Sequence, residues 1–169
     1  MSGPLRLGIL GAARIAPFAV IRHAHRLDSV DVVAVAEEYH PERHLTRYAK
    51  KHRIPNTYRS FDALLADPAI DAVYLPLPIS MHADWCIRSI DAGKHVLCEK
   101  PLAANAQDAE RVLRASEGTD RIVAEAMHFR YHPLVNRVRD ILRSGEIGRV
   151  EQIDASFSAY WPFTDFRFD

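Results

Sequence analysis

Cysteine is scarce in this chain. Cys86 and Cys98 are the only two in 169 residues, too few for a disulfide framework. Both fall inside expected regular elements and are read as buried free thiols of a reducing compartment. Net charge is missing as well, since Lys plus Arg and Asp plus Glu each number 22. A neutral chain makes no bulk electrostatic demand for nucleic acid or an acidic membrane as partner. No apolar run approaches the roughly 18 residues of a membrane span. The amino terminus, Met1 to Arg6, runs into a short strand without the apolar stretch and processing site of an export signal. A cytoplasmic protein is expected. No metal site is expected either, because histidines and cysteines scatter without zinc-ligand spacing. Internal repeats and low-complexity linkers are absent.

What is present is the composition of an ordinary domain, 48% hydrophobic and 26% charged. Leu5 to Leu10 read as a first strand, followed by a Gly11-Ala12-Ala13 turn and an apolar helix from about Arg14 to Leu27. Pro17 is tolerated in a first turn, where its missing amide has no intrahelical partner. Val30 to Ala36, β-branched and alanine-rich, has the pattern of a strand covered on both faces. Glu42 to His52 is the next helix, Asn56 to Tyr58 a short strand, and Ser60 caps a short helix through Ala66. The rhythm then repeats. Ala72 to Leu77 is a strand, Ser80 caps a helix through Ile90, and Gly93 stops it before the strand His95 to Cys98. Asn105 caps Ala106 to Ser116, and Ile122 to Ala126 is a sixth strand.

Strands alternating with crossover helices predict an α/β fold with a Rossmann-type doubly wound parallel sheet over residues 1–125. Residues 126–169 differ in kind. A helix from Pro133 to Ser144 is followed by strict alternation from Ile153 to Trp161, which reads as one strand of a second α+β domain with a largely antiparallel sheet, incomplete in this chain.

Three places carry chemistry. The first strand and helix flank a small-residue turn, Gly11-Ala12-Ala13-Arg14-Ile15, where backbone amides face a pyrophosphate at close approach. Gly11 and Ala16 fit the outer small positions of the usual fingerprint, and Ala13 holds the middle one where glycine is commoner. At the end of the second strand, Glu37 and Glu38 suit a ribose diol and repel a 2′-phosphate, which favours NAD over NADP. The alternative is that both glutamates only solvate a strand end, with Arg14 or His40 free to meet a phosphate. Pro76, Leu77 and Pro78 end the fourth strand as an extended wall with few amides to offer. His82, opening the next helix, reads either as a partly exposed packing residue or as a cofactor contact.

The third place is Val96-Leu97-Cys98-Glu99-Lys100-Pro101-Leu102, an apolar strand that delivers Glu99 and Lys100 to the carboxyl edge of the sheet, where open α/β folds bind ligands. Lys100 is a candidate catalytic cation, and its rival reading is half of a solvated pair. The basic, His-rich stretch from His40 to Arg53 reads as a polar helix face, with a phosphate or nucleic-acid surface as the alternative.

With these motifs in order, the chain resembles the glucose-fructose oxidoreductase and myo-inositol dehydrogenase family, nearest its dihydrodiol and sugar dehydrogenase branch. The blocks that carry the resemblance are Leu7 to Ala16, Leu77 to His82, Ala92 to Leu102, Glu125 to Pro133 and Gly145 to Gly148, together covering essentially the whole chain. The resemblance implies an oxidoreductase moving a hydride between NAD(H) or NADP(H) and a secondary alcohol of a sugar, cyclitol or dihydrodiol, or the matching ketone. It implies that Lys100 is the active-site lysine, that Glu99 and Pro101 hold the nicotinamide side, and that the Gly11 to Ile15 turn holds the pyrophosphate. His128 and Arg130 lie near the substrate cleft by the same token, His128 replacing a commoner Met or Trp. A small polyol or carbonyl substrate and a homo-oligomer joined through the second-domain sheet are also implied. Family members carry an Asp and an acid-base His on a later helix, so the 169-residue chain by itself is expected to be inactive. The rival from another class is a non-catalytic nucleotide-binding or regulatory protein that retains the fold, and a module for another adenine ligand such as S-adenosylmethionine is a third.

Overall fold

In the computed structural model, which describes residues 3–40, 42–156 and 158, the chain divides into two compact units, Met1–Met127 and His128–Asp169. The first unit is built on a six-stranded sheet, all of whose ladders are parallel. Its strands are β1 (Leu5–Leu10), β2 (Val30–Ala36), β3 (Asn56–Tyr58), β4 (Ala72–Leu75), β5 (His95–Cys98) and β6 (Val123–Glu125), in the spatial order β3-β2-β1-β4-β5-β6. That order is the doubly wound Rossmann arrangement, and it reverses between β1 and β4.

The strands are buried on both faces because alternate residues feed two cores. Leu10, Ala36, Val73, Leu75, Val96 and Cys98 pack with helices α3 (Phe61–Leu65), α4 (Ile79–Asp91) and α5 (Ala106–Ser116). Ile9, Val35 and Tyr74 pack on the opposite face with α2 (Glu42–His52) and with a π-helical turn, Pro17–Ile21, that runs into α1 (Arg22–Ala24). At Gly8 a Cβ would lie 2.8 Å from Leu64 Cδ2, so any side chain there would force the buried Leu64 to shift, and the β1–β2 register shifts beside it. Both cysteines are free and buried against α4 and β5.

Several boundaries differ from expectation for local reasons. The first helix is shorter than Arg14 to Leu27, because the turn after Gly11 runs on through Ile15 before helical bonding begins at Pro17. β4 stops at Leu75 and not at Leu77, since Pro76 has no amide for the ladder. Ser80 is not a cap: Pro78 holds the N-cap position of α4, in extended conformation, and Ser80 lies inside the first turn. Ser60 and Asn105 do cap their helices, accepting from the amides of Ala63 and Asp108, a bond worth about 1 kcal/mol in a typical helix. β6 is confined to Val123–Glu125.

The second unit contains a 3-10 turn, His128–Tyr131, and α6 (Pro133–Ser144), which Gly145 ends at φ 76°. The alternating strand expected from Ile153 to Trp161 does not form over the described part. Residues 151–156 and 158 have no regular structure, as a lone strand without a ladder partner would not. Phe157 and residues 159–161 lie outside the described residues, and no second sheet is present among those described. Among the described residues no helix is long and apolar enough to cross a membrane.

Candidate active site

The topological reversal leaves a crevice at the carboxyl ends of β1 and β4, and Gly11, Ala12, Glu37, Pro76 and Leu77 line a cavity of about 140 Å³ there. Gly11 adopts φ 101°, open to glycine at little cost, and a Cβ would meet Leu77 Cδ2 at 3.0 Å. The turn is then held from two sides. Glu37, 5% exposed, accepts from the Ala12 amide at 3.0 Å through one oxygen and from the Tyr39 amide at 2.9 Å through the other. Tyr48, reaching in from α2, donates its hydroxyl to Ala13 O at 3.0 Å, and burial raises its phenol well above the ordinary range. Arg14 and Ile15 point to the exposed side of the turn. Glu38 takes a different job from its neighbour, accepting from the Phe61 amide at 2.6 Å at the start of α3.

Beyond β5, the segment Glu99 to Leu102 is fastened by side chains distant in sequence. The buried Tyr74 of β4 donates to Glu99 Oε1 at 2.7 Å, and burial followed by the Glu99 charge keeps that phenol un-ionised. Glu99 Oε2 accepts from the Lys100 amide at 3.2 Å. Glu125, at the end of β6, accepts from the Leu102 amide at 2.8 Å. The Cys98 thiol at the end of β5 is pushed far up by its hydrogen bond with the Cys86 thiol and by burial, so it is an inert packing group.

His82 corrects the expectation of a partly exposed packing residue. Its ring is 1% exposed and bridges two backbone carbonyls, Nε2 to Leu77 O and Nδ1 to Pro101 O, each at 2.8 Å. This bridge takes up both ring nitrogens. It leaves no ring nitrogen over for a cofactor. Its effect is to lock the wall after β4 to the segment bearing Lys100. Lys100 itself is exposed at the sheet edge, with its ammonium in no ion pair among the described residues. His128 and Arg130 belong to the second unit, where both are exposed on the 3-10 turn.

The sequence reading missed Tyr48, Tyr74 and Glu125. A signal existed for Tyr74: a phenol inside the aliphatic run of β4 must find a partner when buried. For Tyr48 and Glu125 nothing local distinguishes them from any amphipathic helix tyrosine or strand-end glutamate.

Fold and crevice together define the class of doubly wound, nucleotide-binding domains. Residues 5–127 match the family described as "Oxidoreductase family, NAD-binding Rossmann fold", and the chain belongs to that family. It is 42% identical over 157 residues to an uncharacterized oxidoreductase of Rhizobium meliloti, covering 91% of this chain and 46% of the relative. It is 39% identical over 158 residues to a D-xylose 1-dehydrogenase (NADP(+)) of Haloferax volcanii, covering 94% and 47%. Among solved structures, a 3-ketoreductase from Actinomadura kijaniata in complex with NADP superposes with a TM-score of 0.75 at 34% identity, covering 86% of this chain and 45% of that one. The chain thus spans about half the length of the relatives it matches.

Proposed function

We propose that this chain is the cofactor-binding part of an NAD(P)-dependent oxidoreductase that acts on a secondary alcohol of a sugar, cyclitol or dihydrodiol, or on the matching ketone. The observation that carries the reading is Lys100, an exposed cation on a segment tied down by Tyr74, His82 and Glu125 at the ligand-binding edge of the sheet. The relatives' names agree in chemistry, since they include a D-xylose dehydrogenase, a 3-ketoreductase and a trans-1,2-dihydrobenzene-1,2-diol dehydrogenase.

In this reading the turn from Gly11 to Ile15 holds the pyrophosphate, the amides of Gly11 and Ala12 being spent on Ala36 O and Glu37 and those of Ala13, Arg14 and Ile15 left to face it, while Leu77 and Pro78 form the wall beside a ribose, and Glu99, Lys100 and Pro101 border the nicotinamide. His82 acts through Leu77 and Pro101. A bound nicotinamide supplies the hydride acceptor or donor. Lys100 places a cation against the substrate oxygen, where negative charge grows as the hydroxyl loses its proton and the carbon its hydride.

Glu37 favours NAD(H) in this reading: its carboxylate, held at the end of β2 by the amides of Ala12 and Tyr39, would repel a 2′-phosphate. Residues 1–125 form the dinucleotide-binding domain. Residues 126–169 begin a second domain whose mostly antiparallel sheet covers the substrate, brings His128 and Arg130 to the cleft, and joins subunits. Two free buried thiols fit a cytoplasmic location.

Titrating this chain with NADH and NADPH while following dihydronicotinamide fluorescence tests the reading. Saturable enhancement, tighter for NADH, is expected. No binding of either would overturn the oxidoreductase reading, and tighter NADPH binding would overturn the role of Glu37. Saturable binding without turnover of any polyol, in a polypeptide spanning the relatives' full length, would identify a non-catalytic nucleotide-binding protein.

A further inference from the structure

We propose that the groove between the π-helical turn and α2, which meets the cofactor turn at Ala12 and Arg14, binds a small multivalent phosphate-type anion of its own. The groove encloses about 510 Å³, within the usual range for small-ligand sites. Arg14, Arg22, Arg47 and Lys51 line it together with His44 and His52, and no carboxylate is on its surface. A smaller adjoining hollow of about 270 Å³ adds Arg53 and His25, again without a carboxylate.

Several cations without ion pairs face this one concavity. The chain is neutral overall, so a random surface would intersperse its charges. Elsewhere in the first unit, Arg6, Arg59, Arg88, Arg111, Arg114 and Arg121 each hold a carboxylate within 4 Å, while Arg26, Arg43 and Lys50 hold none among the described residues but line neither hollow. Arg14, Arg22, Arg47 and Lys51 form no ion pair among the described residues. Two acids near α2 are committed elsewhere, Glu42 to Arg59 at 2.6 Å and Glu37 to the backbone amides of Ala12 and Tyr39, and Asp28, the acid nearest Arg22 in sequence, does not line the groove. Repulsion among the groove cations is therefore left uncompensated by the protein, which is the condition an anionic ligand relieves.

The walls are pre-formed. The Arg22 guanidinium lies 4.9 Å over the Phe18 ring, Tyr48 is pinned by its bond to Ala13 O, and His52 lies against Tyr48 with ring centroids 4.6 Å apart. His52 reports the local field: burial first, then Lys51, His25 and Arg22, lower its pKa below the ordinary histidine value. Guanidinium forks match the spacing of phosphate oxygens, and several of them facing one concavity favour a ligand carrying more than one phosphate charge over a monovalent ion. The concave shape and zero net charge argue against an extended polynucleotide.

The test uses the chain itself, titrated with sodium pyrophosphate and separately with a hexose bisphosphate in 150 mM KCl, followed by calorimetry and amide NMR. Saturable binding of either probe is expected, with shifts confined to residues 14–22 and 44–53. An R47A/K51A double variant should weaken it at least about tenfold while NADH affinity stays within about twofold; both side chains are exposed, so folding should persist. Binding that is unsaturable, is untouched by R47A/K51A, or is displaced by NADH would overturn the proposal, the last because the anion would then sit in the cofactor turn. A single-stranded oligonucleotide binding more tightly through Arg47 and Lys51 would also overturn it, in favour of a nucleic-acid surface. NADH binding that survives in the double variant keeps the oxidoreductase reading independent of this result.

Discussion

Two segments at the same edge of the sheet are built in opposite ways. The turn after β1 is made by the backbone: Gly11 takes a conformation that side chains resist, and what it presents are amides. The segment after β5 is made by side chains: Tyr74, His82 and Glu125, from three other elements, hold Glu99, Pro101 and Leu102 so that Lys100 stands free. A backbone device suits a ligand group recognised by close approach, such as a pyrophosphate. A side-chain truss suits a charge that must stay within a fraction of an ångström of a reacting atom. The difference teaches that the first segment should fail by steric intrusion and the second by loss of a remote partner.

The largest effect is expected at the charge itself. Lys100→Ala, in a polypeptide spanning the relatives' full length, should lower kcat about 10²- to 10³-fold while the NADH dissociation constant moves less than about threefold. Steady-state kinetics with parallel fluorescence titration would show it, and undiminished turnover would remove Lys100 from the chemistry.

Next comes the truss. His82→Ala leaves the Leu77 and Pro101 carbonyls buried without donors and should cost about 2–4 kcal/mol in urea unfolding. Unchanged unfolding stability in that variant would show that His82 does not tie the two segments together. Gly11→Val tests the backbone device, at about 1–3 kcal/mol of strain from its positive φ and the close Leu77 side chain. It should weaken NADH binding at least about tenfold, and unchanged binding would mean that the turn does not carry the pyrophosphate.

The smallest effect lies at the opposite edge of the sheet, where Arg6 bonds Asp71 at 2.6 Å and holds its carboxyl down to about 2. A depressed carboxylate stabilises the fold above its ordinary value near 4 and loses that contribution as pH falls through about 2. The acid-side slope of thermal stability should therefore flatten in Asp71→Asn, with NADH binding at neutral pH unaffected. An unchanged slope would show that other groups drive the acid transition.

Much of this was legible beforehand, for reasons that can be named. β1, β2, β3 and β5, together with α2, α5 and α6, run between the residues expected of them, because buried runs, Asn105 and Gly145 are local signals. Ser80 misled because Pro78, already extended, could start α4 without a capping side chain. The expected strand from Ile153 does not form over Ile153 to Ser156, since alternation states which face a strand would bury and not whether a partner exists. His82 was visible as a residue but not as a bridge, since its partners Leu77 and Pro101 meet it only once α4 is laid across the strand ends.

The doubly wound parallel class, the position of the Gly11 turn and the delivery of Lys100 to a sheet edge follow from the amino-acid sequence. Each depends on periodicity, glycine conformation or a proline stop within a few neighbouring residues. The tertiary structure alone decided what steadies Lys100 and which cations are left without carboxylates, separating the groove of Arg47 and Lys51 from the paired Arg88 and Arg111. Hydrogen-bond and charge partners are chosen by register and packing between elements far apart in the chain, and no local pattern encodes that choice.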